Sequence, residues 1–423
     1  MTAGWGRLGL VSDVVDRIWR TDAAGMLGVL ARRFGDLDLA EEALQDAVAE
    51  AIERWPRDGV PDNAAGWLVT TAWRKGVDRL RRDANGRRKL AVAAQDEAVA
   101  EPSDDDRLGI VFACCHPVLA EPAQVALTLH AAAGLPAETI AAAFLLPGAT
   151  MAQRLVRAKR LLREREVRFE VPEPDTYAQR LPPVLAVLYL IYNEGYLATS
   201  RDTPHRRELT REALDLAREL HRLMPAEPEV AGLVALLELH ESRAATRFGA
   251  DGRLVLLEDQ DRARWDRGLI RVAMRRLATA AARDRPGPYQ LEAAIAAQHA
   301  LAPSYERTDW AALRRHYDLL MTLRPSPVVR LGRAVATGFA IGPAEALAEV
   351  DAVADQLSGY RLWHATRADL LLRLGRPEEA IEATSRALAL ATNPAERELL
   401  TRRLAALQPA PPHPATAQPR GQG

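Results

Sequence analysis

The sequence predicts an all-α fold: two small helical domains, the second a helix-turn-helix, followed by a larger helical and partly repeat-like domain. Three observations carry this. Ala, Leu and Arg dominate while aromatics are only 5%, a mix that favours helix because unbranched side chains lose little freedom there. Apolar residues recur at helical spacing in one stretch after another. No segment shows sustained period-two alternation, so no sheet is placed. The 423 residues exceed one ordinary core and suggest roughly three modules. A content of 48% hydrophobic and 27% charged residues indicates a globular chain.

The formal net charge of -1, from 56 Lys+Arg against 57 Asp+Glu, argues at first against nucleic-acid binding. That average hides strong segregation. From Asp36 to Glu53 there are seven acids and no base. From Arg74 to Lys89 there are eight bases against Asp78 and Asp83, and from Arg154 to Arg168 seven bases against Glu164 and Glu166.

The first module is residues 1–90. Within it, the stretch from Asp36 to Trp55 is an amphipathic helix, with Leu39, Ala43, Leu44, Ala47, Val48, Ala51 and Ile52 at helical spacing and the acids opposite. Acids favour a helix N-terminus, but seven without a base exceed capping needs. The surface is either a solvated face or a dock for a basic partner. A second helix follows from Pro61 to Arg82, with Trp67 and Trp73 beside the basic run. Rings next to Arg and Lys suit single-stranded nucleic acid, although a Trp at helical spacing also serves as core.

Residues 91–106 are Ala-rich and acidic and read as a flexible linker. The second module, 107–169, holds the most specific local pattern. An apolar helix from Ala123 to Ala133 ends at Gly134, and Pro136 opens a short helix through Phe144. Leu146, Pro147 and Gly148 make a turn, and Thr150 with Gln153 forms a capping box for a further helix. There Met151, Leu155, Ala158, Leu161 and Leu162 share one side, and Arg157, Arg160 and Arg163 run down another edge. This is a helix-turn-helix whose second helix fits a DNA major groove.

Pro172, Pro174, Pro182 and Pro183 mark a linker at 170–182. Residues 183–407 form a helical extension, and 408–423 is a Pro/Ala/Gly-rich tail expected to be disordered. Cys114 and Cys115 are adjacent, so no disulfide framework is expected and a reducing, cytoplasmic setting is. With His116 they lack a second ligand cluster, and buried thiols are the expected role. No metal site, cofactor, catalytic constellation, signal peptide or membrane span is read.

Taken together, these segments resemble an extracytoplasmic-function (ECF) sigma factor, the promoter-specificity subunit of bacterial RNA polymerase. Residues 38–48 (DLAEEALQDAV) resemble the family's region 2.2, residues 66–82 (GWLVTTAWRKGVDRLRR) its regions 2.3 and 2.4, and 135–141 with 150–160 (LPAETIA, TMAQRLVRAKR) its region 4.2. The resemblance covers roughly residues 10–167. It implies that Asp36, Asp38, Glu41, Glu42 and Asp46 dock on polymerase core, whose clamp helices and flap are the partner surfaces. It also implies that Trp67, Arg74, Lys75, Arg79, Arg81 and Arg82 hold the −10 region of promoter DNA. Thr150, Gln153, Arg154, Arg157, Lys159 and Arg160 would then read the −35 region. Lys75 stands where the family usually has Asn, and Met151 where Val often follows the Thr.

Residues 188–196 (LYLIYNEGY) and 251–262 (DGRLVLLEDQDR) resemble the fused helical extension of the ECF42-like subgroup. Residues 361–394 resemble one tetratricopeptide repeat, with Ala368, Leu371, Gly375, Ala380 and Ala387 in register. Such repeats stack into a concave surface suited to a protein or peptide ligand. The expectation is a non-enzymatic initiation factor with a fused regulatory domain. A helix-turn-helix regulator acting without polymerase core and a helical-repeat scaffold are the alternatives.

Overall fold

The structure is a computed structural model that describes residues 3–82, 103–143, 146–196 and 206–407. Arg87, Arg88 and Lys89, most of the acidic linker, Phe144, and the tail 408–423 lie outside the described residues. The described residues form nineteen α-helices and no strand, so the fold is all-α. A single isolated bridge joins Phe248 to Leu254. The chain divides into two compact units, Met1–Glu238 with Ala278–Arg285, and Leu239–Leu277 with Pro286–Gly423.

The first unit opens with α1 (Ala3–Phe34), α2 (Leu37–Asp58) and α3 (Ala64–Arg82), which pack on one another. Helix α2 buries Leu37, Ala40, Ala43, Leu44, Ala47, Ala51 and Trp55, steps of three and four that keep one stripe inward. Asp36 caps it, its Oδ1 accepting from the backbone N–H of Asp38 at 3.1 Å and of Leu39 at 3.3 Å. Gly59, at φ +85°, ends it. A Cβ at Gly76 of α3 would lie 2.2 Å from the tip of the Phe34 ring, so glycine makes room for that ring against α3.

Next come α4 (Asp104–Cys114), α5 (Glu121–Ala131), α6 (Ala137–Ala143) and α7 (Gly148–Glu164). The last acids of the supposed linker are helix: Ser103 and Asp106 form a reciprocal capping box that starts α4. Three acids in a first turn suit the positive end of the helix. Helix α4 lies close on α1, where a Cβ at Gly28 would stand 2.3 Å from the Asp106 carbonyl oxygen. Arg32 pairs with Asp106 at 2.8 Å beside this approach.

The expected Thr150/Gln153 capping box does not form. Pro147 occupies the N-cap position with no side-chain bond, and its carbonyl accepts from the backbone N–H of Thr150 at 3.0 Å and of Met151 at 3.2 Å. The turn therefore enters the helix at Gly148, which brings Met151, Leu155, Ala158 and Leu162 into the core. Pro182 and Pro183 likewise do not end a linker. They lie inside α8 (Tyr177–Tyr196), where burial of Leu181, Val184, Leu185, Val187 and Leu188 outweighs the two missing backbone donors.

Helices α8, α9 (Arg207–Leu223) and the start of α10 (Pro228–Glu241) belong to this first unit. Arg180 of α8 donates to the Phe112 carbonyl at 2.8 Å, and Arg107 of α4 pairs with Glu212 and, at 2.7 Å, with Glu219 of α9. The extension beginning at 183 is thus not one body. Its first helices share a core with the preceding module.

In the second unit, Trp265 donates to Thr246 Oγ1 at 3.0 Å, anchoring a turn-rich segment before α11 (Arg267–Ala281). There follow α12 (Pro288–Leu301), α13 (Trp310–Leu323), α14 (Pro327–Ala340), α15 (Pro343–Asp351), α16 (Ala354–Leu357), α17 (Arg361–Arg373), α18 (Pro377–Leu390) and α19 (Pro394–Leu407). Helices α17 and α18 are a packed pair joined by a turn at Gly375, φ +71°. Ala368, Leu371, Ala380 and Ala387 are buried between and beside them.

Gly28→Leu should lower the stability of the full chain by about 1–3 kcal/mol, as overpacking does. The urea midpoint checks it: the neighbour at Gly28 is backbone and cannot swing aside.

Candidate functional site

Burying one stripe of α2 leaves its acids on two flanks. Asp38 and Glu41 lie on one; Glu42, Asp46 and Glu50 lie on the other. Each flank meets a basic helix.

On the second flank, Arg79 of α3 pairs with Glu42 at 3.1 Å and Asp46 at 3.6 Å, and Lys75 pairs with Glu50 at 2.7 Å. Glu42 and Asp46 remain 55% and 56% exposed, so these contacts leave them open to a partner. Arg74, Arg81 and Arg82 are exposed along α3; Arg81 lies 3.5 Å from Asp78. Trp67 is half-buried and meets the buried Trp55 edge-on at 5.5 Å. Trp73 stacks on Phe34 at 4.9 Å, with the Arg33 guanidinium 5.2 Å from the ring centre.

On the first flank the partner is α7. Lys159 Nζ lies 2.8 Å from both Asp38 Oδ1 and Glu41 Oε2, and its side chain is only 10% exposed. Arg163 reaches Asp36 at 3.5 Å and Asp38 at 3.6 Å. From the last turn of α5, His130 Nε2 stands 3.4 Å from Glu41 Oε1. Helix α7 therefore carries three stripes. Met151, Leu155, Ala158 and Leu162 face the core, and Lys159 and Arg163 face α2. Thr150, Gln153, Arg157 and Arg160 are exposed, and Arg154 is half-buried.

Burial raises the pKa of Glu41, but the neighbouring His130 and Lys159 outweigh it, and the carboxyl is held below its ordinary value. His130 moves up, chiefly through the Glu41 carboxylate 3.4 Å away. Its other nitrogen, Nδ1, faces the Leu135 carbonyl at 2.9 Å, so both ring nitrogens point at acceptors and the imidazolium is favoured. Burial pulls Lys159 down, yet Glu41 and Asp38 more than reverse it.

The resemblance implies that Lys159 faces promoter DNA. In this structure it pairs with Asp38 and Glu41, and Arg163 and His130 join them without having been singled out for that role. Glu41 and Lys159 are 118 positions apart, so no local signal could have paired them.

Cys114 and Cys115 are fully buried free thiols. Burial pushes Cys115 up to about 12 and Cys114 well above its ordinary range. Among the described residues no group of three or more His, Cys, Asp or Glu is arranged to hold a metal ion, and no helix is long and apolar enough to cross a membrane.

The Sigma-70 region 2 family matches residues 21–86, the end of α1 and all of α2 and α3. A family of unknown function (DUF6596) matches residues 180–281, nearly all of α8 and the whole of α9 to α11. The uncharacterized protein R00370 of Rhizobium meliloti is 43% identical over 407 residues, covering 93% of each chain. The chain belongs to the same family as R00370. The probable ECF RNA polymerase sigma factor SigI of Mycobacterium tuberculosis is 27% identical over 165 residues, 37% of this chain and 56% of that protein. No solved structure matches the chain. The region 2 match and the mycobacterial similarity support an ECF-like sigma factor.

The stability contributed by His130 is fully present below pH 6.5 and is lost as pH rises through its raised folded value. That of Glu41 is present above pH 4.5 and is lost as pH falls through its lowered folded value. The pair is therefore fully effective between those two ordinary values. By NMR the His130 ring should titrate above pH 6.5 in the wild-type chain, and Glu41→Gln should bring its midpoint down.

Proposed function

We propose that the chain is a sigma factor that binds RNA polymerase core, directs it to promoter DNA and starts transcription. The supporting observation is the Sigma-70 region 2 match, which falls on the helices that carry the segregated charge. Core binds the acidic face of α2 through Asp36, Asp38, Glu41, Glu42 and Asp46. The −10 region is held by Arg74, Lys75, Arg79, Arg81 and Arg82, which track phosphates, with Trp67 supporting strand opening by stacking. The −35 region is read from α7. Gln153 and Arg157 suit base edges, Thr150, Arg154 and Arg160 suit phosphates, and Lys159 joins them once freed from α2.

The second unit serves as a fused regulatory and interaction domain, as in ECF42-like factors. Its stacked helix pairs, including the tetratricopeptide-like 361–394, offer a surface for a protein or peptide ligand.

Run-off transcription with purified core polymerase and the DNA upstream of the chain's own gene tests the reading. The full chain should start defined transcripts that core alone does not make. DNA binding without core-dependent transcription would leave a plain helix-turn-helix regulator and sink the proposal. Reversing Glu42 and Asp46 to Lys should weaken core binding about tenfold or more, while Arg157→Ala with Arg160→Ala should spare core binding and lose promoter selectivity.

A further inference from the structure

The ion pairs between α2 and α7 join the two charged surfaces that the proposed function assigns to different partners. We propose that the free chain is latched shut by its own α7, which covers the acidic flank of α2 until polymerase core displaces it. This rests on the reading of α2 as the core-binding helix.

The geometry is specific. Asp38 and Glu41 each receive two cations: Lys159 and Arg163 at Asp38, Lys159 and His130 at Glu41. A Lys only 10% exposed against a carboxylate 17% exposed is not a chance surface pair. A partner that needs Asp38 and Glu41 cannot reach them while Lys159 lies between. The same Lys, turned inward, is withheld from DNA, so one contact takes a residue from each of the two surfaces.

The latch is reversible. The α2–α7 contact itself consists of a few ion pairs, of which those of Arg163 are long and partly exposed, and exposed pairs of that kind are individually weak. Glu42 and Asp46 stay open on the other flank and give a basic partner a first foothold. The clasp of α4 on α1 at Gly28 and Arg32–Asp106 holds the two modules together around it.

Spin labels at Gln45→Cys on α2 and Val156→Cys on α7 test the proposal by pulsed electron resonance in the full chain. Both positions are exposed, Val156 at 57%, and the native thiols are buried. The free chain should give one short, narrow distance, which lengthens when core polymerase is added. Lys159→Glu should lengthen it without polymerase and tighten core binding about threefold or more, because the competent state no longer has to be released. A long or broad distance in the free chain, or an unchanged distance in the core complex, would overturn the latch. If neither wild type nor Lys159→Glu binds core, the functional reading fails, while the free-chain distance and its response to Lys159→Glu still decide whether the contact closes the chain.

Discussion

Glu41 is the residue on which the arrangement of the first unit turns. A carboxylate 17% exposed loses much of its hydration and must be met by cations, or it would protonate. Lys159 and His130 meet it, from two helices more than eighty residues further along the chain. Buried ion pairs add little net stability but punish every alternative packing that leaves one partner alone. Here that penalty fixes which face of α7 turns toward α2.

The remaining contacts of the first unit serve that placement. Glycine at 28 lets α4 lie against α1, and the Ser103–Asp106 box sets where α4 begins. Arg107 and Arg180 then tie α4 to α9 and α8, so the first helices of the extension brace the module that carries α7. A fragment ending near residue 170 would expose the apolar sides of α4 and α5 that α8 and α9 cover, and would leave Arg107 without Glu212 and Glu219. The match to the family of unknown function, which begins at residue 180, therefore falls in both the first and the second unit.

Helix α7 shows how one short segment serves three surroundings. Spacing alone gives its core stripe and a basic edge of Arg157, Arg160 and Arg163, of which Arg163 turns toward α2 in the structure. The third stripe, Lys159 and Arg163, is chemically the same as the second and differs only in what stands opposite. The near-zero net charge has a structural counterpart here: the acidic run and both basic runs are cross-paired within one unit, through Arg79, Lys75, Lys159 and Arg163.

Much of this was legible beforehand. Composition and periodicity determined the all-α class and most of the inward stripe of α2, Ala43, Leu44, Ala47 and Ala51, though Ile52 of that stripe turns outward, because burial at steps of three and four is a local property of the chain. Local rules also erred where tertiary burial overrode them: Pro182 and Pro183 sit inside a helix, the Thr150 cap is replaced by Pro147, and the extension divides at Glu238. Charge runs identified the acidic and basic surfaces but not their partners. Only the tertiary structure decided that Lys159 faces Glu41 rather than solvent, since electrostatic pairing depends on distance in space and these residues stand 118 positions apart in sequence.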